Sequence, residues 1–429
     1  MASSGGGTAS RPVLTNDGKP ALRRDQVQRR TVRVLFATQV IGGTGSALGG
    51  AVAALLAAEI AGVGVSGLAQ SAIVVGAALF AVPATALVHR FGRRPSLAAG
   101  YACAAAGAVL IVLAAMRGSV PLLFAGTFLL GGCTAANFQA RYAAVDLAPP
   151  ELRGRHLSLI VWATTLGAVV GPSLAAPAGE LLARHGIPTL AGPFLFSALL
   201  FALNALVLLV LLRPDPAVVA GVRASGGRGA GIREGLHLVG ALAPARLGVS
   251  AMAVGHVVMV GVMTMTPVHI RSAGQDAAHT LGIVGLVLSF HIAGMFALSP
   301  VFGWLTDRIG RRAVIALGIA LLVAACAAAG TAGQSPPRLA AGLLLLGLGW
   351  SATLVAGSTL LSDAIPVEGR AAAQGFADLV MGLAGATAGA LSGVVVGSWG
   401  YPVLALLAAI ATVPLMAAVA GAREQRALG

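Results

Sequence analysis

Twelve apolar runs follow one another through this 429-residue chain, and no stretch of soluble-domain size separates them. A hydrocarbon core about 30 Å thick is crossed by roughly 20 helical residues. Backbone polar groups in lipid must be satisfied within the segment, so such runs fold as helices. The runs lie at about Val34–Ala58, Ser66–Val88, Leu97–Met116, Pro121–Arg141, Leu157–Ala183, Pro193–Leu212, Leu247–Ile270, Thr280–Trp304, Ala313–Ala332, Arg338–Leu361, Ala371–Gly397 and Tyr401–Gly421. They divide the chain into a polar tail (1–33), a first set of six spans (34–212), a polar linker (213–246), a second set of six (247–421) and a short tail (422–429).

The runs have room because charged residues are only 10% of the chain, against about a quarter in a soluble domain. The net charge of +14 does not point to nucleic acid, because the basic residues sit in short loops between spans. Of the 28 Lys and Arg, only Arg117, Arg184, Arg271 and Arg338 fall on the outer side if the N-terminus is inside. Positive charge is retained on the cytoplasmic face, so both termini are expected there, in a plasma membrane. Cys103, Cys133 and Cys326 lie in separate apolar runs and imply no disulfide framework. No GxxxxGK[ST] loop and no nucleophile–base constellation is present, so neither an enzyme nor an ATP-driven pump is expected. The expected partners are the bilayer and a small solute or metal ion, and a monomer is expected.

The halves echo each other. Arg90-Phe91-Gly92-Arg93-Arg94 follows the second span, and Asp307-Arg308-Ile309-Gly310-Arg311-Arg312 follows the eighth. Asp146…Gly154-Arg155 precedes the fifth, and Asp363…Gly369-Arg370 precedes the eleventh. Two pseudo-symmetric six-helix bundles, all-α, fit this duplication. The loop Gly303 to Arg312 resembles the signature of the major facilitator superfamily, and the resemblance covers nearly the whole chain. The first copy departs from it, with Thr85 at the glycine position and His89 at the acidic one. The resemblance implies alternating access, with these loops gating the cytoplasmic side and Asp307 in the second copy carrying more of the gate.

Soft donors mark the seventh and eighth runs. Met252, His256, Met259 and Met263 fall on one helical face, as do His291 and Met295. A histidine inside a span is a functional candidate, and thioether with imidazole suits Cu(I) better than hard cations. Met259-x-x-x-Met263 with His291-x-x-x-Met295 also resembles the CcoA-like copper importers of the same superfamily. That resemblance implies copper import, with Met265 and His269 as an outer relay. Cu(I) is then the cargo, and no cofactor is expected. The branch also includes carriers of organic molecules such as riboflavin, and packing by the methionines is the plain alternative.

A rival signal lies in the fifth run. Gly167-Ala168-Val169-Val170-Gly171-Pro172, with Pro177, resembles the antiporter motif of drug/proton exchangers and equally allows close packing and a kink. Proton-coupled transport of a drug or small metabolite is therefore the alternative function. Asp378, about two turns into the eleventh run, is the clearest acid within a span and is the candidate coupling group or partner of a basic residue. Arg141, Asp146 and Arg155 are expected to cluster at the cytoplasmic side.

Overall fold

A computed structural model describes residues 24–149, 153–220, 228–366 and 369–427, and its described residues contain helices and no strands. Twelve helical spans are long and apolar enough to cross a membrane. They run Arg24–Ala61, Val63–Val88, Arg93–Arg117, Val120–Ala143, Trp162–Ala183, Gly192–Leu211, Ala243–Arg271, Ala277–Ile309, Arg311–Gly330, Pro336–Ala364, Ala372–Trp399 and Tyr401–Gly421. They are called spans 1 to 12 below. The ends bearing the termini, the linker and most of the arginines form the basic face, and the other ends form the far face.

Lipid offers no hydrophobic drive for helix association, so the bundles hold together by close packing of small residues. Cβ atoms added to Gly100, Gly107 and Gly132 would press on backbone or small side chains between spans 3 and 4. In span 1, Gly42 lies under Tyr101, Gly43 on the Thr164 carbonyl and Gly45 against Phe201. Tyr101, Phe194 and Phe201 fill the first bundle's centre and are fully buried. The antiporter-like stretch of span 5 does the packing its glycines allow. Gly167 and Gly171 abut Val40, Thr44 and Leu48 of span 1. The helix then breaks into a 3-10 turn, Pro172–Leu174.

Helix begins at Arg24, inside the stretch read as a tail. Val27 and Gln28 are buried, and the Gln28 amide donates to the Ala144 carbonyl at 2.7 Å. The linker also holds helix. Arg228–Ala241 seats Gly235 against the Ala372 carbonyl and Phe376 of span 11.

The duplicated loops fold alike. Gly92 and Gly310 both take positive φ, 95° and 91°, between consecutive spans. A side chain is strained in that region, which is why glycine stands there. In the first copy Arg93 grips Asp146 with two hydrogen bonds, at 2.9 and 3.1 Å, and Gln139 with a third at 2.6 Å. Asp215 of the linker accepts from the Arg93 and Arg94 backbone N–H groups at 3.1 and 2.7 Å. In the second copy Arg311 pairs with Asp363 at 2.9 Å and with Asp307 at 3.5 Å.

Candidate functional site

The contacts that fasten the bundles to each other lie toward the far face. Span 2 crosses span 11 on glycine, with Gly67 against Gly389 and Gly393 and Gly64 against Gly397. Ser71 donates to the Ala386 carbonyl at 2.6 Å across the same seam. Span 5 meets span 8 where Gly285 sits on the Pro172 carbonyl, and Ser289 donates to the Val169 carbonyl at 2.9 Å. Ser66 donates to the Met265 sulfur at 3.5 Å. Above this seam a cleft of about 610 Å³ opens between the bundles, lined by Glu59, Val63, His269, Arg271 and Tyr401 among others.

On the basic side the same helices stand apart. The face of span 11 that carries Gly389 also carries Gly382 and Asp378, one helical repeat after another. A Cβ on Gly382 would meet nothing within 4 Å, and Asp378 is exposed. Opposite is Arg141 of span 4, which interacts electrostatically with Asp378 but is in no ion pair with it among the described residues. The Arg141 guanidinium lies 5.1 Å from the centre of the half-exposed Phe138 ring. The gap is therefore walled by spans 4 and 11 and carries one charge of each sign.

Behind the span 4 wall lies a polar chain that drew no attention in the sequence. Thr164 donates to the Gln39 carbonyl at 2.9 Å, the Gln39 amide donates to the Tyr101 hydroxyl at 3.1 Å, and Tyr101 donates to the Asn137 carbonyl at 2.6 Å. Asn204 joins from span 6 through the Thr38 carbonyl at 2.9 Å. Five spans of the first bundle are thus linked. Its signal was available as single amides and hydroxyls inside apolar runs, which lipid tolerates only when they are partnered.

The soft donors of spans 7 and 8 do not share one environment. Met252 packs on Gly357 of span 10. His256 accepts a hydrogen bond at Nδ1 from the Trp350 indole at 3.1 Å, and its other edge lies against Gly385. Met259 is buried in the main core, with Met263 and Met295 packed against that core. His291 is fully buried and gives its Nδ1 proton to the Leu343 carbonyl at 2.8 Å, leaving Nε2 without a partner. Met265 turns to Ser66, whereas His269 stacks on Tyr401 at 4.4 Å and donates to the Gly333 carbonyl at 2.8 Å. The expected relay of Met265 and His269 thus has its members on different neighbours.

Among the charged residues, Asp146 pairs with Arg93 rather than Arg141, and the Arg155 side chain lies outside the described residues. Asp307 is exposed and bonded within its own bundle. Arg90 and Arg308 lie over the neighbouring Phe91 and Trp304 rings, each at 5.0 Å. Arg312 stands in the first turn of span 9, next to Arg311.

Two bundles, sealed at one face and parted at the other, are the architecture of an alternating-access carrier, and the family match agrees. The family model of the Major Facilitator Superfamily covers residues 34–284 and 272–427. The chain belongs to the Major Facilitator Superfamily. It is a multi-pass membrane transporter and not an enzyme. It is 38% identical to the uncharacterized MFS-type transporter YdeG of Bacillus subtilis, over 94% of each chain. It is 29% identical to the riboflavin transporter RfnT of Brucella anthropi, over 82% of this chain and 85% of that one. In fold it matches the nucleoside transporter NupG, with a TM-score of 0.72 at 15% identity, over 92% and 98% of the two chains. The copper-importer branch gains no support from these relatives.

Proposed function

We propose that this transporter of the Major Facilitator Superfamily carries a planar organic solute of the riboflavin kind by alternating access, with its basic face in the cytoplasm. The observation that carries the reading is the make-up of the gap: a half-exposed aromatic ring, Phe138, and one charge of each sign, on Arg141 and Asp378. Organic solutes with ring faces and polar edges are held by such groups. The riboflavin transporter among the relatives supports the same class. The positive-inside bias supports the orientation.

Copper import is the rival. One observation favours it, the buried and unpartnered His291 Nε2, whose lone pair is free once Nδ1 holds the proton. Against it stands the apolar packing of the methionines, since Met259, Met263 and Met295 pack with the main core. The deciding experiment measures uptake of labelled riboflavin and of labelled copper, under reducing conditions, in cells lacking their own carriers. Riboflavin entry above the empty-vector level, undiminished in Met263→Ala/His291→Ala, is expected. Copper entry that this double variant abolishes, with no riboflavin entry, would overturn the organic-solute reading.

A further inference from the structure

We propose that His256 touches the cargo. Its imidazole stands where the gap between the bundles ends and offers a fixed N–H donor to an acceptor atom of the solute, a carbonyl oxygen, a hydroxyl or a ring nitrogen. This rests on the organic-solute reading and names a specificity-determining residue within it.

Position is set by span 11, which carries Gly382, Gly385 and Gly389. Gly389 faces Gly67 and Ser71 of span 2 across the seam. Gly382 is seven residues nearer the basic face, so it looks the same way to within about 20°. A Cβ there would meet nothing within 4 Å, and the gap is open at its level. Gly385 lies between the two, one turn below Gly389. There the wall is covered: the His256 Cδ2 and Nε2 atoms lie 2.6 and 2.7 Å from where a Cβ would be. The ring from span 7 thus takes the side-chain place at Gly385. The next residue, Ala386, already belongs to the seam, through its carbonyl and Ser71.

Chemistry is set by Trp350 of span 10. Its indole N–H donates to His256 Nδ1 at 3.1 Å. Indole is a donor only, so Nδ1 must accept and the neutral ring keeps its proton on Nε2. Trp350 is itself buried, with Phe296 edge-on at 6.0 Å, so it acts through His256 as a positioning residue. The His256 Nε2–H finds no partner among the described residues, and it is not sealed in as His291 Nε2 is. His256 is partly buried, whereas His291 is fully buried. Of these two histidines, His256 is the one that a solute in the gap can reach.

A fixed donor discriminates. A copper ion needs an imidazole lone pair, and here one nitrogen is engaged by Trp350 while the other holds the proton. An ammonium group would set N–H against N–H. A solute with an exposed acceptor is matched, and the bare wall at Gly382 leaves room for a flat ring. A donor left unmatched costs more than a made hydrogen bond contributes.

The test has two arms. In a chain freed of Cys103, Cys133 and Cys326, His256→Cys is expected to react with N-ethylmaleimide about tenfold faster than His291→Cys or more, because the attacking thiolate forms only where the site is not apolar and sealed. A transported probe, riboflavin or uridine, is expected to slow that reaction. Labelling no faster than at position 291 overturns the proposal, and so does labelling that a transported probe leaves unchanged. The second arm is counterflow of the same probes in proteoliposomes with no ion gradient. His256→Phe keeps a ring and loses the donor. It is expected to raise the half-saturation concentration about tenfold with little change in maximal exchange. His256→Gln can accept from Trp350 and donate to the cargo, and is expected to restore affinity. Trp350→Phe is expected to weaken binding in the wild-type background and to add nothing in His256→Phe. Equal losses in His256→Phe and His256→Gln, or an equal effect of Trp350→Phe in both backgrounds, would make the pair a packing strut and overturn the proposal while organic transport stands. Unchanged counterflow in His256→Phe with loss of gradient-driven accumulation also overturns it, because His256 then carries a proton and not cargo. Exchange of neither probe by the wild type overturns the organic-solute reading and the proposal with it.

Discussion

Replacing Gly67 by alanine puts a methyl group onto the Gly389 carbonyl oxygen. Its next neighbours are the Gly389 carbonyl carbon at 3.0 Å and the Gly393 nitrogen at 3.1 Å. All are backbone, so no side chain can swing aside. Carbon atoms rest at about 3.5–4.0 Å, and spans 2 and 11 must part to make room. Overpacking of this kind costs about 1–3 kcal/mol. The cost falls on the conformer sealed at the far face and not on one in which the seam has opened. The equilibrium should therefore move toward the far-open conformer by about 5–150-fold. The reporter is Ser66→Cys in a chain stripped of Cys103, Cys133 and Cys326. Ser66 is fully buried in the seam, on Met265, and reacts with a membrane-impermeant maleimide only when the seam opens. Labelling should quicken about fivefold or more in Gly67→Ala. Gly50→Ala, where the new methyl meets nothing within 4 Å, should label like the parent. If Gly67→Ala labels no faster than Gly50→Ala, backbone contact does not hold the far face shut.

The two loop arginines should differ. Arg93 and Asp146 are 10% and 9% exposed, whereas Arg311 and Asp363 are 31% and 51% exposed, so Arg93→Ala should cost about 3–5 kcal/mol and Arg311→Ala about 1 kcal/mol or less, read from thermal unfolding in detergent. Equal losses would refute the burial argument. Gly310→Ala should lower thermal stability by about 1–3 kcal/mol through its positive φ, whereas Gly303→Ala, with open space around it, should not. Asp276 caps span 8 by accepting from the His279 backbone N–H at 2.9 Å, which holds its carboxyl below the usual range. A depressed carboxyl stabilises the fold above its unfolded pKa and loses that contribution as pH falls through the folded value. The stability gap between wild type and Asp276→Ala should hold at neutral pH and close in acid below the ordinary aspartate range; a gap that persists there counts against the charged cap.

The number of spans and the doubled loop were legible because each is a local property. Run length decides whether a segment crosses, and Gly92 and Gly310 mark equivalent turns whatever surrounds them. Partner choice was not legible. Arg93 and Arg141 are both basic residues at the same face, and only the rotation of spans 3 and 4 decides that one takes Asp146 and the other looks toward Asp378. The surroundings of the methionine face were not legible for a related reason. Helical spacing placed Met252, His256, Met259 and Met263 on one side of span 7, but that side is broad enough to touch spans 10 and 11 and the core at once. Met252 and His256 met Gly357 and Gly385, while Met259 and Met263 stayed together at the main core. Gln39, Tyr101, Asn137 and Thr164 were the opposite case, lone polar residues with nothing in their spacing to join them, which packing drew into one chain. Of the two loop copies, the first holds the more buried pair and recruits Asp215 from the linker.

That recruitment has a mechanical consequence. Asp215 is stapled to the start of span 3, and Gly235 is seated on span 11. The linker is thus moored to one bundle at its beginning and to the other near its end. Only about 20 residues lie between the moorings, and a chain reaches at most roughly 3.3–3.6 Å per residue. A strap of that reach leaves the two halves free to rock, and their movement is taken up between the two moorings.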